Sequence, residues 1–230
     1  PPYNVKIDGH VSGLGHARHR EFAMAAGEMS EAEFRGFLEC VVRNMAGVSD
    51  DGALHYLCMD WAHLHELLSA GKAVYRDLKN ICVWTKSNAG MGSLYRSQHE
   101  MVAVFKVGTG PHVNNVELGR HGRYRTNVWA YAGMNSFGRD RDEALAMHPT
   151  VKPVQLVEDA ILDASDRGSV VIDAFLGSGT TLIAAEHAGR VCCGLELDPH
   201  YVDLILKRWS KLTGEDPVLA EGGLTFSELS

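Results

Sequence analysis

The chain has 230 residues, 45% apolar and 22% charged, with a formal net charge of −7 at pH 7. It is large enough for one globular domain with a real core, has no apolar run of about eighteen residues that could cross a membrane, and opens with no signal-peptide pattern. The acidic total excludes a protein that coats nucleic acid by bulk charge. Cys58, Cys82, Cys192 and Cys193 sit in apolar runs and Cys40 in a helical pattern, and their spacing suits no zinc site. They are expected to be buried thiols in a reducing, intracellular setting, and no metal is expected.

Pro1-Pro2-Tyr3 cannot lie inside a strand, because neither proline has an N–H to give a ladder; it reads as a rigid turn after one. From Lys6 to Glu28 the chain is rich in Gly, His and Arg without hydrophobic periodicity and reads as a loop, whose histidines have no acid or cysteine at metal-ligand spacing. Ser30 and Glu33 form a capping box ahead of a helix with Phe34, Phe37, Leu38, Val41, Val42 and Met45 on one face. A strand is predicted over Ala53 to Met59, then a helix capped by Asp60, running through Leu68 and stopped at Gly71. A polar turn over Asp77 to Asn80 leads to a strand over Ile81 to Trp84, a loop over Thr85 to Gln98, and a strand over Met101 to Val107.

From Gly108 to Met147 no long periodic segment occurs. Between Lys106 and Arg141 six basic residues stand against two acids, and Gly119 to Tyr131 interleaves arginines with Tyr124, Trp129 and Tyr131. That mixture suits phosphate contact and stacking on bases, with Trp129 expected in the core and the arginines outside it. Pro153 stands near the first turn of a helix lined by Leu156, Ile161 and Leu162.

The stretch from Ser169 to Asp198 is a β-turn-α-β unit. Val170 to Ile172 run into a turn at Gly177 and Gly179, a helix spans Thr180 to His187, and a second apolar run, Val191 to Leu197, ends on acids. Glycines at that turn let backbone N–H groups meet a ligand at a helix start. Glu196, nineteen residues after Gly177, stands where a carboxylate can hold ribose hydroxyls. The unit therefore binds a nucleoside-type cofactor. Pro199 opens a last amphipathic helix, and the tail after Gly214 is expected to be poorly ordered.

Together these landmarks resemble the amino-group DNA methyltransferases that use S-adenosylmethionine, in their permuted "beta" order. Pro1-Pro2-Tyr3 resembles the end of the family's Asp-Pro-Pro-Tyr catalytic motif, and His148 to Pro153 the segment leading into the cofactor site. Asp173 to Thr181 resembles the glycine-rich cofactor loop, with Ala174 where a proline is common. The resemblance implies an α/β, Rossmann-like methyltransferase fold, circularly permuted, with a mostly parallel sheet and helices on both faces. It divides the chain into a catalytic half (1–107), a small target-recognition region (108–147), a cofactor-binding half (148–213) and a tail (214–230).

The resemblance also assigns roles. Phe175, Gly177, Ser178, Gly179 and Thr180 would shape the pocket around the methionine part of S-adenosylmethionine, with Asp173 near its ammonium. Thr150 and Lys152 would sit by its carboxylate, and Glu196 would take the ribose hydroxyls. An Asp side chain and the carbonyl of Pro1 would accept the N–H bonds of an exocyclic amine, and Tyr3 would stack on a base flipped out of double-stranded DNA. Arg96, Arg120, Arg123 and Arg125 are the DNA-contact candidates, and relatives commonly form homodimers.

The Asp that should precede Pro1 is not in the sequence, nor is the strand that would carry it, so a further N-terminal segment of the same protein is expected to complete the sheet. Adenine N6 is the favoured target and cytosine N4 the alternative; RNA, a protein glutamine, or DNA binding without activity are the other readings. A dinucleotide oxidoreductase fails on Leu182, where a third glycine is wanted, and an NTPase loop fails because no lysine follows Gly179.

Overall fold

A computed structural model describes residues 1–6, 24–90, 94–120, 124–133 and 151–229. Helix α1 (Glu31–Gly47) starts at the predicted capping box: Ser30 Oγ accepts from Glu33 N, and the Glu33 carboxylate accepts from Ser30 N at 2.9 Å. Strand β1 (Leu54–Met59) alternates, sending His55, Leu57 and Met59 to one face. Helix α2 (Leu64–Val74) has His63, not the expected Asp60, as its N-cap and no side-chain cap bond; Asp60 instead accepts from His63 N at 2.9 Å in the loop before it. Gly71 does not stop this helix. It lies inside it, because a Cβ there would stand 2.3 Å from the ring of Phe105.

Strand β2 (Asp77–Thr85) takes in the predicted turn: Asp77 to Asn80 form its first half, with a bulge between Leu78 and Asn80 and side chains turned largely to solvent. Strands β3 (His99–Lys106) and β4 (Val128–Ala130) follow, then α3 (Val154–Ala164), β5 (Val170–Asp173), α4 (Thr180–Ala188), β6 (Val191–Gly194), α5 (Pro199–Thr213) and the short α6 (Phe226–Leu229). The tail is more ordered than expected. Val218 bridges to Thr225 across a turn holding Gly222 and Gly223 at positive φ, and Asp216 accepts from Ser227 N at the start of α6.

Among the described residues the strands form a four-stranded sheet, β1-β3-β2-β4, and a separate parallel pair, β5-β6. The first sheet is mixed rather than mostly parallel: β3 pairs antiparallel with β1 and β2, and the one parallel pairing in it is β2 with β4. A loop, not a crossover helix, joins β2 to β3, so β3 returns beside β2 in the opposite sense. Helices do cover both faces. Phe34, Leu38, Leu67 and Ala70 from α1 and α2 pack on Leu57, Met59, Ala103 and Phe105, whereas Leu156 and Ala160 of α3 pack on Cys82, Trp84, Val102, Val104 and Trp129. Ile161 continues from α3 onto Ala184, Ala185 and Ala188 of α4.

All five cysteines are unbridged, and Cys82 is buried as expected. Cys40 and Cys193 are instead exposed, Cys193 because it lies on the uncovered side of β6. Among the described residues no group of side chains suits a metal ion, and no helix is long and apolar enough to cross a membrane.

His55 is buried in a polar chain under the first core. Its Nδ1 meets Tyr75 Oη at 2.6 Å, its Nε2 meets Ser49 Oγ at 3.0 Å, and Ser49 Oγ donates to Met45 O at 2.7 Å. Since the serine proton is committed to Met45, the consistent arrangement has Tyr75 donating to Nδ1 and Nε2–H donating to Ser49, a neutral imidazole. Burial lowers its pKa from 6.5 to about 4. The unfolded chain therefore binds more protons between those values, and stability falls as pH drops from 6.5 towards 4, by at most about 3 kcal/mol. Urea titrations of wild type and His55→Gln across that range should show the slope flattened in the variant. Gly71→Ala should destabilise the fold by ~2 kcal/mol, because overpacking against Phe105 outweighs the gain of about 1 kcal/mol in helix propensity; thermal unfolding measures the balance.

Candidate active site

Strands β1, β2 and β4 share a direction, so Met59, Thr85 and Ala130 end on one edge of the sheet, where β3 begins at His99. At that edge a cavity of about 840 Å³ opens between the Pro1–Tyr3 segment, α1 and the ends of β5 and β6. The carboxyl ends of strands are where open α/β sheets take ligands.

The glycine turn builds one wall. Gly177 and Gly179 have φ of 56° and 81°, which side chains resist, and they bring the chain into α4 at Thr180. Asp173, ending β5, closes the turn by accepting from Phe175 N at 2.9 Å and Thr181 Oγ1 at 2.6 Å. Across it, Glu196 accepts from Gly177 N at 2.8 Å with one oxygen, and from Leu197 N and Asp198 N at 2.9 Å with the other. Behind the turn α5 holds it in place: Arg208 donates to Ser178 O, and a Cβ on Gly179 would stand 3.1 Å from Ile205. Phe175 meets the edge of Phe37 from α1, ring centroids 6.0 Å apart.

The opposite wall starts at Pro1, Pro2 and Tyr3. Asn4, at φ 54°, clamps this segment to the approach of α1, its Oδ1 accepting from Gly27 N at 3.1 Å and its Nδ2 donating to Met29 O at 2.8 Å. Tyr3 Oη donates to Glu100 Oε2 at 2.6 Å, while Lys86 Nζ donates to Glu100 Oε1 at 2.6 Å. Lys152 Nζ lies 5.6 Å from the Tyr3 ring centroid. Burial alone would raise the Glu100 pKa, yet Lys152 and Lys86 outweigh it and hold the carboxyl below its usual value. Lys152 mirrors this: burial lowers its pKa, but Cys58, Glu100 and Asp173 bring it above the ordinary lysine value. The two groups stay charged together.

Pro1, Pro2, Tyr3, Lys152, Asp173, Phe175, Gly177, Ser178, Thr180 and Glu196 thus border one cavity, with Gly179 immediately behind as the N-cap of α4. Thr150 and Arg123 lie outside the described residues. Arg120 and Arg125 are not brought here. Because β4 is parallel to β2, the residues before Val128 lie at the other end of the sheet, where Asn127 bonds Asn80 at 3.3 Å and both arginines line a second hollow of about 580 Å³. Arg125 lies outside the core, as expected, but is half-buried and paired: its Nε lies 2.7 Å from Asp163, and its guanidinium sits 5.0 Å from the Trp129 ring centroid. Arg96, in the loop leaving β2 at the cavity end, donates to Ala89 O and Gly90 O at 2.8 and 2.9 Å. Sequence reasoning missed Asn4, Phe37, Lys86 and Glu100. Only helix periodicity pointed to Phe37, and no local motif marks the other three.

The profile of the DNA methylase family N6_N4_Mtase matches residues 1–207. Among curated relatives, the type II methyltransferase M2.LlaDCHI of Lactococcus lactis subsp. cremoris is 28% identical over 160 residues, 64% of this chain and 58% of the relative. The type II methyltransferase M.HpaI of Haemophilus parainfluenzae is 32% identical over 107 residues, 46% of this chain and 32% of the relative. The chain thus spans between about a third and three fifths of these relatives. In structure it is similar to the PvuII DNA methyltransferase, described as cytosine-N4-specific, with TM-score 0.67 at 16% identity over 85% of this chain and 76% of that one. It is also similar to the M1.HpyAVI–SAM complex, with TM-score 0.60 at 19% identity over 73% and 80% of the two chains.

Of the three N–H bonds that Glu196 accepts, one holds the glycine turn and two hold the segment after β6, tying the two together. Glu196→Gln puts an amide NH₂ where one set of N–H groups now finds an acceptor, and should speed hydrogen exchange at Gly177 or at Leu197 and Asp198 at least about tenfold, the loss expected for one charge-assisted bond.

Proposed function

Since this chain belongs to the N6/N4 DNA methylase family, we propose that it moves a methyl group from S-adenosylmethionine to the exocyclic amine of a base flipped out of duplex DNA, adenine N6 being the favoured target. The observation that carries this is the meeting of Pro1-Pro2-Tyr3, the glycine turn and Glu196 around one cavity. Its volume of about 840 Å³ falls in the range of small-molecule sites, and its walls offer the carboxylates of Asp60, Asp173, Glu196 and Asp198, aromatic surface and the ammonium of Lys152, the mixture that a cationic nucleoside cofactor asks for.

Glu196 is the group for the ribose hydroxyls; with three N–H bonds on about four acceptor sites it has room for one hydroxyl, and taking the second means sharing or giving up a backbone bond. Asp173 offers negative charge to the cofactor's ammonium, and Lys152 offers positive charge to its carboxylate, beside which Thr150 would also sit. Phe175, with Gly177, Ser178, Gly179 and Thr180, shapes the wall around the methionine part. When bound, S-adenosylmethionine supplies an electrophilic methyl on a sulfonium. Pro1 contributes its carbonyl as an acceptor for the amine N–H, which favours a pyramidal nitrogen with an available lone pair. The fixed φ of Pro1 and Pro2 holds that acceptor and the Tyr3 ring at little entropic cost. Stacking on Tyr3 offsets part of the cost of unpairing the base.

The permuted motif order belongs to this reading, as does a strand from a further segment of the same protein lying between β5 and β1. The support is that neither strand has a partner on that edge among the described residues. Arg96 is our preferred DNA contact, supported by its loop between β2 and β3; Arg120 and Arg125, in the second hollow, would act only if DNA reaches beyond the catalytic edge, and Arg123 is proposed as a further contact from the sequence alone.

The test is transfer of labelled methyl to unmethylated duplex DNA, RNA and protein, with the modified nucleoside identified after digestion. Label in N6-methyladenine supports the full reading, N4-methylcytosine corrects the base, and tight cofactor binding without transfer favours a DNA-binding module. Asp173→Ala removes a charge partner and two hydrogen bonds, and should weaken S-adenosylmethionine binding at least about tenfold by calorimetry.

A further inference from the structure

We infer that Glu100, held by Lys86, is a positioning residue that sets the orientation of the Tyr3 ring for the flipped base; this rests on the stacking role proposed for Tyr3. A tyrosine ring can stack only if its side-chain torsions stay in one well. Tyr3 packs beside the first core, and a bond at the far end of the ring adds to that hold. Tyr3 Oη donates to Glu100 Oε2 at 2.6 Å, and the other carboxylate oxygen is occupied by Lys86 Nζ, also at 2.6 Å. The carboxylate therefore cannot turn away without giving up a charged partner.

The setting favours this over a simple surface ion pair. The Glu100 and Lys86 side chains are 15% and 27% exposed, so their attraction is less screened than at an open surface. Lys86 is itself steadied over the Trp84 ring, 4.7 Å from its centroid, and that ring is fixed by Nε1 donating to Tyr131 O at 3.0 Å. The tether crosses 97 residues of sequence and ends on β3, which is paired on both edges. An ionised acceptor also makes the phenol bond stronger than a neutral one would.

The test uses the protein with unmethylated duplex DNA and labelled S-adenosylmethionine, measuring kcat and KM for Tyr3→Phe, Glu100→Ala, the double variant and Glu100→Gln. The phenylalanine variant keeps the ring and removes only the hydroxyl, so it reports even if Glu100→Ala fails to fold. Tyr3→Phe should lower kcat about threefold or more, and Glu100→Ala about tenfold, with KM for the cofactor changed less than about twofold. In the Glu100→Ala background, Tyr3→Phe should cost nothing further, because the two groups act as one unit. Glu100→Gln, whose amide can still bond both neighbours, should recover most of the rate. Full activity in Tyr3→Phe, multiplicative losses in the double variant, or no rescue by Gln overturns the inference while leaving methyl transfer standing. A wild-type protein that methylates no DNA overturns the functional reading and this inference with it.

Discussion

Strand β3 is enclosed from four sides, and the rest of the first sheet is arranged to satisfy it. β1 and β2 take its backbone groups along both edges, while Val102 and Val104 point into one core and Ala103 and Phe105 into the other. A strand buried in this way cannot leave polar groups unpaired, which is why Lys106 at its end sends its ammonium to Gly110 O at 3.1 Å and towards Asp77 at 3.3 Å. The same enclosure dictates Gly71, since the Phe105 ring takes the room a side chain would need, and it gives Glu100, at the strand's other end, a fixed base.

The cavity joins two walls of different physical character. On the cofactor side, carboxylates hold a backbone turn rigid by accepting its N–H groups, leaving net negative charge beside the opening. On the Tyr3 side, Glu100 and Lys152 lie among one another's fields and stay ionised despite burial. Charge of both signs is thus kept within a mainly apolar cleft, where it acts over short range with little solvent screening.

What could be read from the sequence was what is local. The capping box at Ser30 and Glu33, the glycine turn, and the carboxylate that follows the next strand each work over one segment, and each has a recognisable spacing. Misreadings arose where partners distant in sequence decided the outcome. Asp77 to Asn80 looks like a turn by composition, yet the open edge of β3 draws it into a strand. Gly71 looks like a helix stop until Phe105 is placed against it. Arg125 lies outside the core as its charge suggests, but its partners, Asp163 and Trp129, could not be read from its neighbours in sequence. Glu100 carried no signal at all, because its meaning is a bond to a residue at the opposite end of the catalytic half.

The hold on Arg125 has a counterpart on the other side of β4, where Tyr131 Oη donates to Asp159 of α3. Both flanks of a three-residue strand are thus riveted to one helix. So short a strand has few ladder bonds of its own, and it is these two side-chain ties to α3 that keep β4 seated beside β2. The strand hangs from its helix as much as from its sheet, and loosening either tie would free an edge rather than open a core.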